Sequence, residues 1–235
     1  MGVEPYSMLL PQRNGEPMRY VFALAMLASV STRALAVFDA QLLMGGASIQ
    51  SDAVSADESS KGSARGGQFG LSLHFDPFPG IPVAFGALYM TQGFTVDMPK
   101  NGSTGFAGAL VGPEVMAWLP VASTIRPYLK GTYVLAGYGR KYTEQLIRLN
   151  EVTGEETAYD AESTVFYSGT GTRAAAGLNW SPVRFLSIMG EYSMTWTKVR
   201  ATKAKRGDGS EEELKDTPSE KLTTQGFLLG VGANI

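Results

Sequence analysis

Residues 66–75 read GGQFGLSLHF, and the alternation in this stretch decides the fold. Phe69, Leu71, Leu73 and Phe75 are large and apolar, while Gln68, Gly70, Ser72 and His74 between them are small or polar. A period of two describes a strand with one apolar and one polar face. In a soluble sheet the apolar face packs on a core; in a membrane barrel it meets lipid and the polar face fills the lumen. The rest of the chain has to decide between these two environments.

The same period recurs along the sequence. Phe38, Ala40, Leu42 and Met44 alternate with Asp39 and Gln41, and GGQFGLSLHF is the second run. The third, 83–95, places Phe85, Ala87 and Tyr89 on one parity, blurred by Leu88 and Met90 in a way that invites a bulge. In the fourth, 105–119, Val111, Val115, Ala117 and Leu119 oppose Gly108, Gly112 and Glu114. The fifth, 127–142, sets Leu129, Tyr133 and Leu135 against Lys130, Thr132 and Arg140. The sixth, 166–181, sets Ala174, Ala176, Leu178 and Trp180 against Arg173, Gly177, Asn179 and Ser181. In the seventh, Leu186, Ile188, Tyr192, Met194 and Trp196 alternate with Ser187, Glu191, Ser193, Thr195 and Thr197. The eighth ends the chain with Phe227, Leu229, Val231, Ala233 and Ile235 against glycines and Asn234. Eight strands, an even number, predict an all-β, up-and-down antiparallel transmembrane β-barrel.

The connections carry a second signal. DPFPGIP (76–82), PVASTIRP (120–127) and SPVRF (181–185) are short and contain proline, which fixes turns and stops pairing. The alternate connections, about 47–66, 96–104, 143–165 and 199–221, are longer and polar. Short turns at one end and long loops at the other are the asymmetry of an outer-membrane barrel, with the turns in the periplasm. The polar faces carry glycine, serine, threonine and isolated charges rather than a solvated charged surface, which suits a narrow lumen. Phe75, Trp180 and Phe185 beside the short turns, and Tyr89, Tyr133 and Trp196 toward the loops, form two aromatic girdles. The apolar face is therefore expected to look at lipid.

Composition agrees. Of 235 residues, 44% are hydrophobic, too many for a disordered chain, and 28 glycines with 10 tyrosines favour strands. A net charge of −2 gives no electrostatic case for nucleic acid, and the absence of cysteine excludes disulfides, thiolate metal sites and cysteine nucleophiles. From Met18 the chain reads MRYVFALAMLASVSTRALA, with Arg19 as positive n-region, Val21–Val30 as apolar core, and Ala34 and Ala36 framing a small-x-small cleavage site. Its apolar core is too short for a membrane helix, which needs about 20 residues. Residues 1–36 are read as an N-terminal extension and signal peptide, and 37–235 as the barrel domain. Cleavage after Ala36 removes three arginines and two glutamates, leaving a net charge of −3.

The terminal FLLGVGANI, with apolar residues at alternate positions, resembles the C-terminal assembly signal of bacterial outer-membrane proteins, although Ile235 stands where an aromatic residue is commoner. Together with the signal peptide and the loop asymmetry, it makes residues 37–235 similar to the small eight-stranded barrels of the OmpA transmembrane domain, OmpX and OmpW type. That resemblance implies a Gram-negative outer-membrane location, a monomer, no cofactor, and the barrel-assembly machinery and outer-membrane lipid and lipopolysaccharide as partners.

The inward charges Asp39, Glu114, Lys130, Arg173 and Glu191 are the candidate site, since a lumen drives them to pair, either as a static plug or as a gate. His74 is the sole histidine and shares inward parity with Ser72; a lipid-modifying pair also needs an orienting acid and access to lipid at the outer leaflet, and with His74 beside a short turn and facing inward the pair does not argue for an enzyme. Lys198–Arg206 is a basic block able to meet lipopolysaccharide phosphates, and Arg206-Gly207-Asp208 is a tripeptide that matches an adhesion motif by chance. No metal-ligand spacing or phosphate-cradling loop is present. The expected role is structural or surface-interacting through the loops, with a narrow pore for ions or small apolar solutes as the alternative and a lipid-modifying enzyme as a third.

Overall fold

The computed structural model describes residues 38–51, 64–77, 81–98, 102–119, 124–149, 156–183 and 185–234. The expected signal peptide, with Ala34 and Ala36, lies outside the described residues, as does Ile235. The strands are β1 (Phe38–Ser51), β2 (Ala64–Phe75), β3 (Val83–Met98), β4 (Gly102–Trp118), β5 (Ile125–Leu149), β6 (Glu156–Val183), β7 (Leu186–Lys205), β8 (Glu211–Glu213) and β9 (Ser219–Asn234). Consecutive strands from β1 to β7 pair antiparallel, and β9 pairs with both β7 and β1. Eight strands thereby close into a barrel, and β8 is a short addition beside the far end of β7.

The register shows how the strands tilt. One lateral row runs Asp39, His74, Gly86, Glu114, Thr132, Arg173, Thr195 and Thr224 across β1–β7 and β9. Thr224 then pairs with Ile49, so the row returns to β1 ten residues (49 − 39) from where it left. The rows are spirals, and the strands must lean, as closure of a small barrel requires.

Alternation sorts the side chains. Leu73, Leu178, Ile188, Leu229 and Val231 stand exposed on the outer face, which gives the barrel the apolar belt of a lipid-spanning wall. Phe75, Tyr89, Tyr133, Trp180, Phe185 and Trp196 are also exposed. Inside, the contents are layered. Near the short turns the inward polar residues stand among Ala84, Met116, Tyr128 and Met189; farther along come Leu43, Leu88, Met90, Leu110, Val134 and Leu228, none more than 1% exposed. Beyond them Phe94, Phe106 and Tyr138 stack, with the last two rings 4.8 Å apart.

Three expectations need correction. The β3 register is unbroken against both neighbours, so there is no bulge. Leu88 and Met90 blur the pattern because they enter the apolar layer of the lumen, which the small polar residues alone do not fill. The 96–104 connection is not long, since Met98 pairs with Gly102. Residues 143–165 are mostly strand, with β5 and β6 paired out to Leu149 and Glu156, and β7 continues to Lys205. Beyond the membrane both faces of a strand meet water, so the two-residue period fades while backbone pairing continues.

Candidate functional site

The polar layer at the short-turn end is a connected network. The spiral row brings Asp39, His74, Glu114, Thr132 and Arg173 onto successive strands with inward parity, and Gly86 occupies the row's place on β3. A Cβ at Gly86 would lie 2.0 Å from the Leu73 carbonyl oxygen and 2.8 Å from His74 Cδ2. With glycine there, His74 reaches over β3, and its Nε2 sits 2.9 Å from Glu114 Oε1.

Glu114 is the hub. Its Oε1 also accepts from Ser72 Oγ at 2.9 Å and lies 3.7 Å from Lys130 Nζ. Its Oε2 accepts from Thr132 Oγ1 at 2.6 Å and from Arg173 Nη1 at 3.4 Å. Glu191, on β7, takes the other side of the two cations: Lys130 Nζ is 2.9 Å from Oε2, and Arg173 Nη2 donates to Oε1. Tyr128 OH donates to Glu191 Oε2 at 3.1 Å. That ring lies over Gly177, where a Cβ would come within 2.5 Å of Tyr128 Cζ. Lys130 Nζ further donates to Gln41 Oε1 at 2.6 Å, and Gln41 Nε2 donates to Asp39 Oδ2. The side chains of Glu114, Lys130, Arg173 and Glu191 are fully enclosed.

Chemically, this is a set of charge-assisted hydrogen bonds in which Glu114 and Glu191 are met by cations and hydroxyls, while Asp39 is met by the Gln41 amide. It is not a nucleophile and base: Ser72 donates to Glu114 rather than to His74, and both residues are buried away from lipid. Among the described residues no group of His, Asp and Glu is placed to hold a metal ion.

No family model and no curated protein matches the chain. Among solved structures, Neisserial surface protein A superimposes with a TM-score of 0.50 at 15% identity, over 83% of this chain and 96% of that one. The chain has the fold of a small outer-membrane β-barrel. A major outer membrane protein from Thermus thermophilus is also similar (TM-score 0.47, 11% identity, 83% of this chain and 99% of that one). So is Ail, the attachment invasion locus protein of Yersinia pestis, in complex with the heparin analogue sucrose octasulfate (0.43, 12%, 85% and 99%).

In this barrel all five sequence-derived lumen charges belong to one network, Asp39 joining through Gln41. The sequence does not single out Gln41, Tyr128 and Thr132, and it offers His74 and Ser72 only as a catalytic pair. Their inward parity was readable; their convergence was not, because it depends on the inter-strand register.

On the loop side, Lys203 pairs with Glu211 and Arg206 with Glu212 across the β7–β8 turn. Arg206-Gly207-Asp208 is built into that turn: Gly209 N donates to Arg206 O, Ser210 N donates to Asp208 Oδ1, and Gly209 has a positive φ of 88° that favours glycine. Nearer the membrane, Lys198 stands directly opposite Lys221, with Arg200 two residues along on the same face. Lys198 and Arg200 are exposed and Lys221 is exposed beside them; none has an ion pair among the described residues.

Proposed function

We propose that this barrel is a closed, non-conducting outer-membrane protein with a structural or surface-interaction role, working through its loop-side extensions. The observation that carries the reading is the filled lumen. A water path would have to pass the enclosed Glu114, Lys130, Arg173 and Glu191 and then the dry layer of Leu43, Leu88, Met90, Leu110, Val134 and Leu228. Planar-bilayer recording of the refolded protein tests it. No unitary conductance is expected, and steady channel openings would transfer the assignment to the narrow-pore alternative.

The outward-facing end of β7 supports lipopolysaccharide as the partner. Like charges directly opposite across strands are destabilising, and the Lys198–Lys221 pair has Arg200 beside it and Trp196 below on the same face. The cations at the tip are matched by acids of β8 and its turn; these three are left for an anion at headgroup height. Lys198→Gln combined with Lys221→Gln should weaken binding to vesicles containing lipopolysaccharide more than to vesicles of zwitterionic phospholipid. Equal binding by wild type and variant would remove this partner.

A further inference from the structure

The short-turn mouth of the lumen contains a cavity of about 110 Å³, lined by Asp39 and His74 and by Met116, Trp118 and Tyr128. It lies where the polar network has a gap. His74 Nδ1 and Asp39 Oδ2 are 3.8 Å apart, too far for a hydrogen bond. Two buried atoms of these residues, Asp39 Oδ1 and His74 Nδ1, have no hydrogen-bond partner among the described residues.

Both atoms are acceptors. Glu114 accepts from Ser72, Thr132 and Arg173, so it is a carboxylate and can only accept from His74 Nε2 as well. A neutral imidazole then carries its proton on Nε2, and its Nδ1 presents a lone pair. Whatever fills the gap has to offer at least two N–H or O–H donors.

Charge adds a second requirement. With Asp39 ionised and His74 neutral, the network holds three carboxylates (Asp39, Glu114 and Glu191) against two cations (Lys130 and Arg173), an excess of one negative charge. At the rim of the cavity Asp76 and Arg126 offset each other. A buried charge without compensation is strongly destabilising. Water supplies donors but no charge, and the described residues provide no multidentate metal site.

We propose that the lumen mouth binds a small primary ammonium ion, held between Asp39 and His74 at the gap in the network. One N–H donates to Asp39 Oδ1 and another to His74 Nδ1, and the positive charge balances the compartment. Met116, Trp118 and Tyr128 line the cavity and offer apolar surface to a short alkyl tail. The volume suits an ion of a few heavy atoms, being smaller than the roughly 150 Å³ cavity that accommodates benzene.

His74 is the sole histidine, so protein labelled with nitrogen-15 histidine gives one pair of ring nitrogen resonances. The labelled barrel is titrated with n-propylammonium chloride, and with tetramethylammonium chloride at equal ionic strength as the cation without N–H donors. The expected result is a saturable shift of the Nδ1 resonance with propylammonium alone, and affinity weakened about tenfold or more in Asp39→Asn. Ala84→Leu fills the cavity without altering a charge and should abolish the response, which keeps the test open if Asp39→Asn does not fold. The proposal is overturned by no saturable shift, by an equal shift with tetramethylammonium, or by a folded variant that binds as wild type does. It is also overturned if Nδ1 is already protonated without ligand, since His74 would then itself be the missing cation.

Discussion

Arg173→Met removes one of the two cations that face three carboxylates in the lumen network. Methionine preserves much of the length and packing of the side chain, so the lost charge dominates the effect. Arg173 is 1% exposed and bridges Glu114 and Glu191; without it, Lys130 alone faces Asp39, Glu114 and Glu191. Breaking a buried ion pair by removing one partner costs about 3–5 kcal/mol, and the side chains of Arg173, Glu114 and Glu191 are fully enclosed. The measurement is urea unfolding in lipid vesicles, followed through the fluorescence of the three tryptophans, with the denaturant slope compared between variants. Adding Glu191→Gln to Arg173→Met should recover a substantial part of the loss, because one of the stranded carboxylates is then neutral. The exposed Lys141–Glu162 pair, with an N–O distance of 3.2 Å, provides the contrast: Glu162→Gln should change stability by no more than about 1 kcal/mol. If Arg173→Met unfolds within about 1 kcal/mol of wild type at an unchanged slope, the lumen is hydrated and the closed-barrel reading fails.

Other perturbations address separate parts of the structure. Leu178→Arg, on the exposed outer face, should destabilise the barrel by about 2–4 kcal/mol if it lies at the bilayer midplane; an unchanged midpoint in the same titration would mean that face does not meet lipid. Gly86→Val forces His74 away from Glu114, because even a Cβ there meets the Leu73 carbonyl at 2.0 Å. Loss of the coupled His74 and Glu114 resonances is expected, and an unaltered His74 spectrum would show that Gly86 does not create the passage. On the loop side, the hydrogen bond and charge of the Lys203 ammonium hold Glu211 below its ordinary value of 4.5. Since the folded-state value is depressed, the contact is fully present above that ordinary value and is lost as pH falls through the lower one. The carboxyl carbon of Glu211 should therefore titrate at a higher pH in Lys203→Gln, and an identical midpoint in both proteins would rule the contact out.

Much of this architecture was legible because lipid imposes a strict rule. A strand crossing the bilayer must keep apolar side chains at every second position, and the runs Leu186–Thr197 and Phe227–Asn234 obey it almost without exception. Inside the barrel the rule relaxes. Leu43, Leu88, Met90 and Leu110 are as apolar as the lipid-facing residues, so parity alone could not reveal that the lumen is part salt network and part dry core. Beyond the membrane neither face is constrained, and the long β5–β6 extension looked like a loop. The charged members of the site were visible one by one, as polar residues on an inward parity. Their meeting depends on which residue of β2 lies beside which residue of β1 and β3. Nothing local to Asp39 or His74 encodes that neighbour.

The spiral row through Asp39, His74, Glu114 and Arg173 also has a bearing on assembly. A slip of one residue between two strands exchanges inward and outward positions along the displaced strand. A barrel paired one step out at β4 would turn Glu114 toward lipid, and one out at β6 would do so with Arg173, at about 2–4 kcal/mol for an arginine near the midplane. The glycine- and alanine-rich stretches of β4 and β6 have little side-chain bulk with which to resist such sliding. The charges supply what bulk does not: a membrane-enforced proofreading of strand register that acts while the wall is still closing.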